Sequence, residues 1–189
     1  MDPLSQVLLE ISSALDRVGV KYAVGGSVAS AARGVWRSTL DVDIVAALRP
    51  AQVQDLATAL GKDWYADADM IRGAIQAGRS FNVIHTRLAY KVDIFPAIDD
   101  FRLTQLERAT IVPLAEEKVP CAVTSAEDII LAKLCWYRDG GESSTRQWDD
   151  IIGVVSISRP LDAAHLQHWA TRLGVTRLLE KAQADARLP

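Results

Sequence analysis

Cysteine is almost missing from this chain: Cys121 and Cys135 are the only two in 189 residues. Two thiols cannot form a disulfide framework, and neither stands at metal-ligand spacing from a histidine. Both are expected as reduced, partly buried thiols. Long apolar runs are missing too; none approaches the ~18 residues that a bilayer span requires. The N-terminus, MDPLSQVLLE, is acidic where a signal peptide is basic. The expectation is therefore no membrane and a cytoplasmic protein. Positive charge is scarce: 21 basic against 24 acidic residues leave a net −3, with no Lys/Arg run. That excludes an extended duplex-binding face, which needs clustered cations to neutralise phosphates. There is no internal repeat, no low-complexity segment, no P-loop Gly-Lys-Ser/Thr and no GxGxxG spacing.

What remains is ordinary globular material, 49% apolar and 24% charged. A chain of this length buries roughly 70% of the surface that its unfolded form exposes, so it needs no staples. Leu4, Val7, Leu8, Ile11, Leu15 and Val18 are spaced for a helix that Gly19 stops. Residues 21–24 read as a strand running into Gly25-Gly26, and Ser27 is placed to cap a short helix ending at Gly34. LDVDIVAAL (40–48) reads as a strand, with Leu40, Val42 and Ile44 on its apolar face. Helices are expected over 50–60 and 68–77, then two antiparallel strands, 81–85 and 90–95, and a helix over 99–108. Residues 111–114 and 119–123 are short β segments interrupted by Pro113 and Pro120. From 124 onward only helical patterns appear. Thr124 and Glu127 form a capping-box pattern, and further helices are expected near 146–157, 162–172 and 175–186. The expectation is an α+β fold: a mixed-sheet core with flanking helices over 1–123, then a small helical subdomain over 124–189.

Three acids carry the chemistry. Asp41 and Asp43 are two apart on one strand and so share a face. Asp93 sits on another strand between apolar Val92 and Ile94. Like charges on one sheet face destabilise it by up to ~1 kcal/mol per opposed pair. A cation removes that cost, and oxygen-only ligands favour Mg²⁺ or Mn²⁺. A bare DxD has little meaning alone. Upstream, however, Gly25-Gly26-Ser27 stands between a strand and a helix. There glycines admit a ligand to the backbone, and free N–H groups suit phosphate.

The stretches GGSVASAARG, RSTLDVDIV and KVDIFP, in that order, resemble the polymerase-beta-type nucleotidyltransferase superfamily, most closely its minimal prokaryotic and abortive-infection toxin-like members. The resemblance covers about residues 20–96. It implies that Gly25, Gly26 and Ser27 hold a nucleoside triphosphate, and that Asp41, Asp43 and Asp93 bind two Mg²⁺ or Mn²⁺ ions. It further implies that Asp93 helps deprotonate the attacking hydroxyl. Arg37 and Thr39 stand just before the acids and are candidates for phosphate contact. In LAKLCWYRDGGESSTRQWDDI, Lys133, Arg138, Arg146 and Asp150 fit the toxin-type Lys-x4-Arg…Arg-Asp-x-x-Asp pattern, whereas Gln147 replaces its first aspartate. Lys133 and Arg138 are accordingly candidates for nucleotide binding, set against the reading of Lys133 as an exposed helix lysine.

The implied activity is transfer of an NMP from an NTP to a hydroxyl on a small molecule, an RNA 3′ end or a protein. The alternatives are an inactive nucleotide-binding or regulatory module, and the toxin of a toxin–antitoxin pair; an antitoxin or a second copy of the chain would then be the partner. His85 is read as packed rather than ligating, and His165 and His168 as surface residues without an acid partner. Trp36 is a candidate for base stacking. Trp136 and Trp148 are expected to pin the late helices.

Overall fold

The computed structural model describes residues 1–35, 39–158 and 160–187. The chain divides into two compact units, one made of Met1–Val28 and Ser38–Thr124, the other of Ala29–Arg37 and Ser125–Pro189.

The first unit is built on a seven-stranded mixed sheet. Its strands are β1 (Tyr22–Val24), β2 (Asp41–Ala46), β3 (Trp64–Tyr65), β4 (Phe81–His85), β5 (Tyr90–Pro96), β6 (Thr110–Leu114) and β7 (Val119–Val123), in the order β3-β4-β5-β2-β1-β7-β6. β2 runs parallel to β5, β1 runs parallel to β7, and the other neighbours are antiparallel. Helix α1 (Pro3–Arg17) starts where Asp2 accepts the N–H groups of Leu4 and Ser5, with Pro3 in the first turn. Its buried stripe, Val7, Leu8, Ile11 and Leu15, follows the expected spacing. α3 (Val53–Leu60) follows a 3-10 turn at Pro50–Gln52, and α4 (Ala68–Gln76) is capped by Asp67. The two-residue strand β3 has no counterpart in the sequence reading; two residues are too few to show alternation.

Period-two alternation governs the two central strands. Val42, Ile44, Val92 and Ile94 are all fully buried, and each such burial contributes about 1.5–3 kcal/mol. Helix α1 packs on this face: its Glu10 reaches His85 and Trp64 beside Val83. On the opposite face, Ala23 and Val45 pack with Leu106 of α5 (Asp100–Arg108), beside Phe95. Asp41, Asp43 and Asp93 lie on this second face, beyond the cover of that cluster. Leu40 departs from its expected place: it precedes β2 and is 59% exposed.

The second unit contains α6 (Ala126–Asp139), α7 (Thr145–Ile157), α8 (Ala163–Leu173) and α9 (Thr176–Asp185). The cap of α6 is Ser125, whose side chain accepts the Asp128 N–H, and not Thr124. Thr124 is held instead by β1, its N–H donating to Val24 O. Gly174 closes α8 in a left-handed conformation. The short helix α2 (Gly26–Ala32) begins in the first unit and ends in the second. Among the described residues no helix is long and apolar enough to cross a membrane.

Candidate active site

Asp43 and Asp93 are register partners across the parallel β2–β5 pair, and Asp41 is the partner of Lys91 in the same ladder. Register partners point to one side of a sheet, so the ladder gathers three carboxylates and one ammonium on one face. On β4, half-buried Asn82 is the partner of Asp93 and joins this face.

Lys91 is central to the arrangement. Its Nζ lies 2.7 Å from Asp93 Oδ2 and 3.6 Å from Asp41 Oδ1. The hydrogen bond to Asp93 raises the Lys91 pKa above its ordinary value, against a smaller opposing push from burial. Side-chain exposure is 57% at Asp41, 42% at Lys91 and 24% at Asp93, so the cluster opens to solvent. Among the described residues, no three acidic, histidine or cysteine side chains converge tightly enough to ligate one ion.

The Gly25-Gly26 turn is strapped to the same strand. Gly25 N–H donates to Asp43 O at 2.8 Å. Gly26 has φ +57°, and a Cβ added there would stand 1.8 Å from Asp43 Oδ2. Only glycine lets the Asp43 carboxylate lie over the backbone at this point. Ser27 is buried and lies within the first turn of α2, because the helix begins at Gly26 and not after Ser27. Thr39 shapes the approach to β2: Asp41 N–H donates to its Oγ1 at 3.1 Å. Arg37 and Trp36 lie outside the described residues.

Lys133 and Arg138 belong to the second unit. Lys133 is not an exposed helix lysine: it is buried, and its ammonium donates to Asp150 Oδ2 at 3.2 Å, tying α6 to α7. Arg138 donates to Leu173 O at the end of α8 and pairs with Asp139. His165 does have an acid partner, contrary to the sequence reading: its Nε2 is 2.7 Å from Asp128 Oδ1, and Asp128 is fully buried. The two meet because α8 packs on α6, a contact between positions 37 apart that spacing cannot show. His85 is packed as expected, fully buried and tilted against Trp64 at 5.0 Å between ring centroids. Trp148 links α7 to α9 by donating to Asp185 Oδ2 at 3.0 Å.

No protein-family model matches the sequence, and no curated protein matches it. Solved structures do. The solution structure of the antibiotic-resistance factor ANT(2'')-Ia superposes with a TM-score of 0.54 at 16% identity, covering 96% of this chain and 97% of that one. An antigenic nucleotidyltransferase-like protein from Paracoccidioides brasiliensis superposes with a TM-score of 0.58 at 17% identity, covering 97% and 93%. This chain has the nucleotidyltransferase fold. The nucleotidyltransferase sheet and its flanking helices are thus those that GGSVASAARG, RSTLDVDIV and KVDIFP imply. The spacing argument for the acids leaves out one member of their face, Lys91. Its signal was present, because a residue two before Asp93 on a strand must share its face.

Proposed function

We propose that the chain transfers a nucleoside monophosphate from a nucleoside triphosphate to a hydroxyl group, with Mg²⁺ or Mn²⁺ held by Asp41, Asp43 and Asp93. The observation that carries this reading is the Asp43–Asp93 register pair, with Asp41 two residues away on the same face. The donor set suits a hard divalent cation, being all oxygen, and Lys91 already places a positive charge between Asp41 and Asp93. When bound, the metal would neutralise phosphate charge on both the attacking and the leaving side of an in-line displacement.

The chain's own residues supply the rest. Gly26 lets the Asp43 carboxylate lie over the backbone at this turn, and Gly25, Gly26 and Ser27 are the candidates to hold the triphosphate. Ser27 and Thr39 add hydroxyls, and Arg37 is the cationic candidate for the nucleotide, since Lys133 is held by Asp150 and Arg138 by Leu173 O and Asp139. The acceptor oxygen attacks the α-phosphorus, its proton passes to the Asp93 carboxylate, the new P–O bond forms, and the bond to pyrophosphate breaks. The site must therefore position and neutralise more than it must react. For the acceptor we favour a small hydroxylated molecule. ANT(2'')-Ia, solved in complex with adenylyl-2''-tobramycin, aligns over 92% of this chain and 98% of its own at 16% identity and a TM-score of 0.54.

The test is thermal stability with ATP, CTP, GTP and UTP, each with and without Mg²⁺ or Mn²⁺. A ligand at a hundredfold excess over its Kd stabilises the native state by about 2.7 kcal/mol. A shift that needs both one nucleotide and the metal, and that disappears in Asp93→Ala and Asp41→Ala, supports the reading and names the donor. A nucleotide shift indifferent to metal and to both substitutions would instead mark a binding module.

A further inference from the structure

The proposed nucleotidyl transfer leaves Lys91 without a role. Lys91 stands on β5 opposite Asp41 and two residues before Asp93, so backbone register alone places it on the carboxylate face. Its ammonium spans the two acids, 2.7 Å from Asp93 and 3.6 Å from Asp41. A side chain that merely decorated the surface would extend into water, as its 42% exposure permits. Here it turns toward Asp93 on its own strand and Asp41 on the neighbouring one, two carboxylates that lie diagonally across the ladder.

We propose that Lys91 is a tethered counter-cation that holds the carboxylate cluster in the metal-free protein and must be displaced from Asp93 when a divalent ion binds. This rests on the reading of Asp41, Asp43 and Asp93 as the metal ligands. An ammonium is a compact point charge on a flexible four-carbon stem, so it can leave without moving the strand. While in place it does two things. It relieves the repulsion between acids on adjacent strands, and it lowers the negative potential that would draw a free ion to the site. Lys91 thereby weakens binding of metal alone, and it favours metal that arrives with the additional charge of a nucleotide triphosphate.

The experiment measures Mn²⁺ binding, without nucleotide, by electron paramagnetic resonance on the full chain. Wild type, Lys91→Gln, Lys91→Arg, Asp93→Asn and the double variant Lys91→Gln/Asp93→Asn are compared, each confirmed folded by its melting curve. The expected result is roughly tenfold tighter Mn²⁺ binding in Lys91→Gln, from removal of one positive charge within a few ångströms of the ion. Lys91→Arg should behave like wild type, and the double variant should lose the gain. A tighter site is a readout that structural damage would not produce. If Lys91→Gln binds Mn²⁺ no more tightly than wild type while Asp93→Asn loses it, the counter-cation inference fails and the metal-ligand reading stands. If Asp93→Asn binds as wild type does, and the double variant as Lys91→Gln does, the ligand reading fails and takes this inference with it.

Discussion

Lys91 and Lys133 both hold an aspartate through an ammonium, at 2.7 Å from Asp93 and at 3.2 Å from Asp150. Side-chain exposure separates them: 42% and 24% in the first pair, 9% and 14% in the second. Near water, the attraction between a lysine and an aspartate is screened, and the pair exchanges partners easily. Out of water, the same two charges are costly to bury and costlier to separate. One kind of pairing, a lysine with an aspartate, therefore yields an exchangeable pair on a sheet face and a fixed strut between two helices. Their surroundings decide which, and the difference can be measured.

Asp150→Ala should have the largest effect. It leaves the Lys133 ammonium buried beside α7 without this carboxylate, and a loss of about 3 kcal/mol is expected in urea unfolding. A loss near zero would place Lys133 in the same class as Lys91. Gly26→Ala should cost about 2 kcal/mol, from a left-handed φ that alanine resists and from the displaced Asp43 carboxylate. It should also weaken binding of Mg²⁺ with nucleotide, because it moves an acid of the cluster rather than its cation; calorimetric titration would show this. A double-mutant cycle on Lys133 and Asp150 should return a coupling above about 1 kcal/mol. The same cycle on Lys91 and Asp93 should return less than that. Smallest of all, Lys91→Met should change the stability of the metal-free protein by less than about 1 kcal/mol. Raising the salt from 0.01 M to 1 M should shrink even that, as the screening length falls from about 30 Å to about 3 Å. A large, salt-independent loss would reverse the contrast between the pairs.

Much of the fold could be read in advance because its signals are local. The stripe of α1, the alternation in DVDIVA and YKVDIF, and the caps and glycines that end helices all act within a few residues. The caps also show the limit of that reading: Thr124 and Ser125 are both competent, and the pairing of Thr124 with Val24 leaves the cap to Ser125. His165 and Asp128 meet only because α8 packs on α6, and nothing in the spacing of either helix announces it. Alternation extended one residue before the start of β2 puts Leu40 on the apolar face, whereas outside the strand the pleat no longer fixes its side and it is exposed.

By itself, the sequence determined which residues share a face. Alternation with a period of two follows from the pleat, so Asp41 with Asp43, and Lys91 with Asp93, were settled before any strand found its neighbour. Only the tertiary structure decided that these two pairs lie side by side. β2 and β5 are separated by two helices and two other strands, yet they join in parallel register with Asp43 against Asp93 and Asp41 against Lys91. Register is a long-range choice, made by fitting Val42, Ile44, Val92 and Ile94 into one buried layer. The charges on the opposite face follow from that apolar fit, and so does the place of the lysine among the acids.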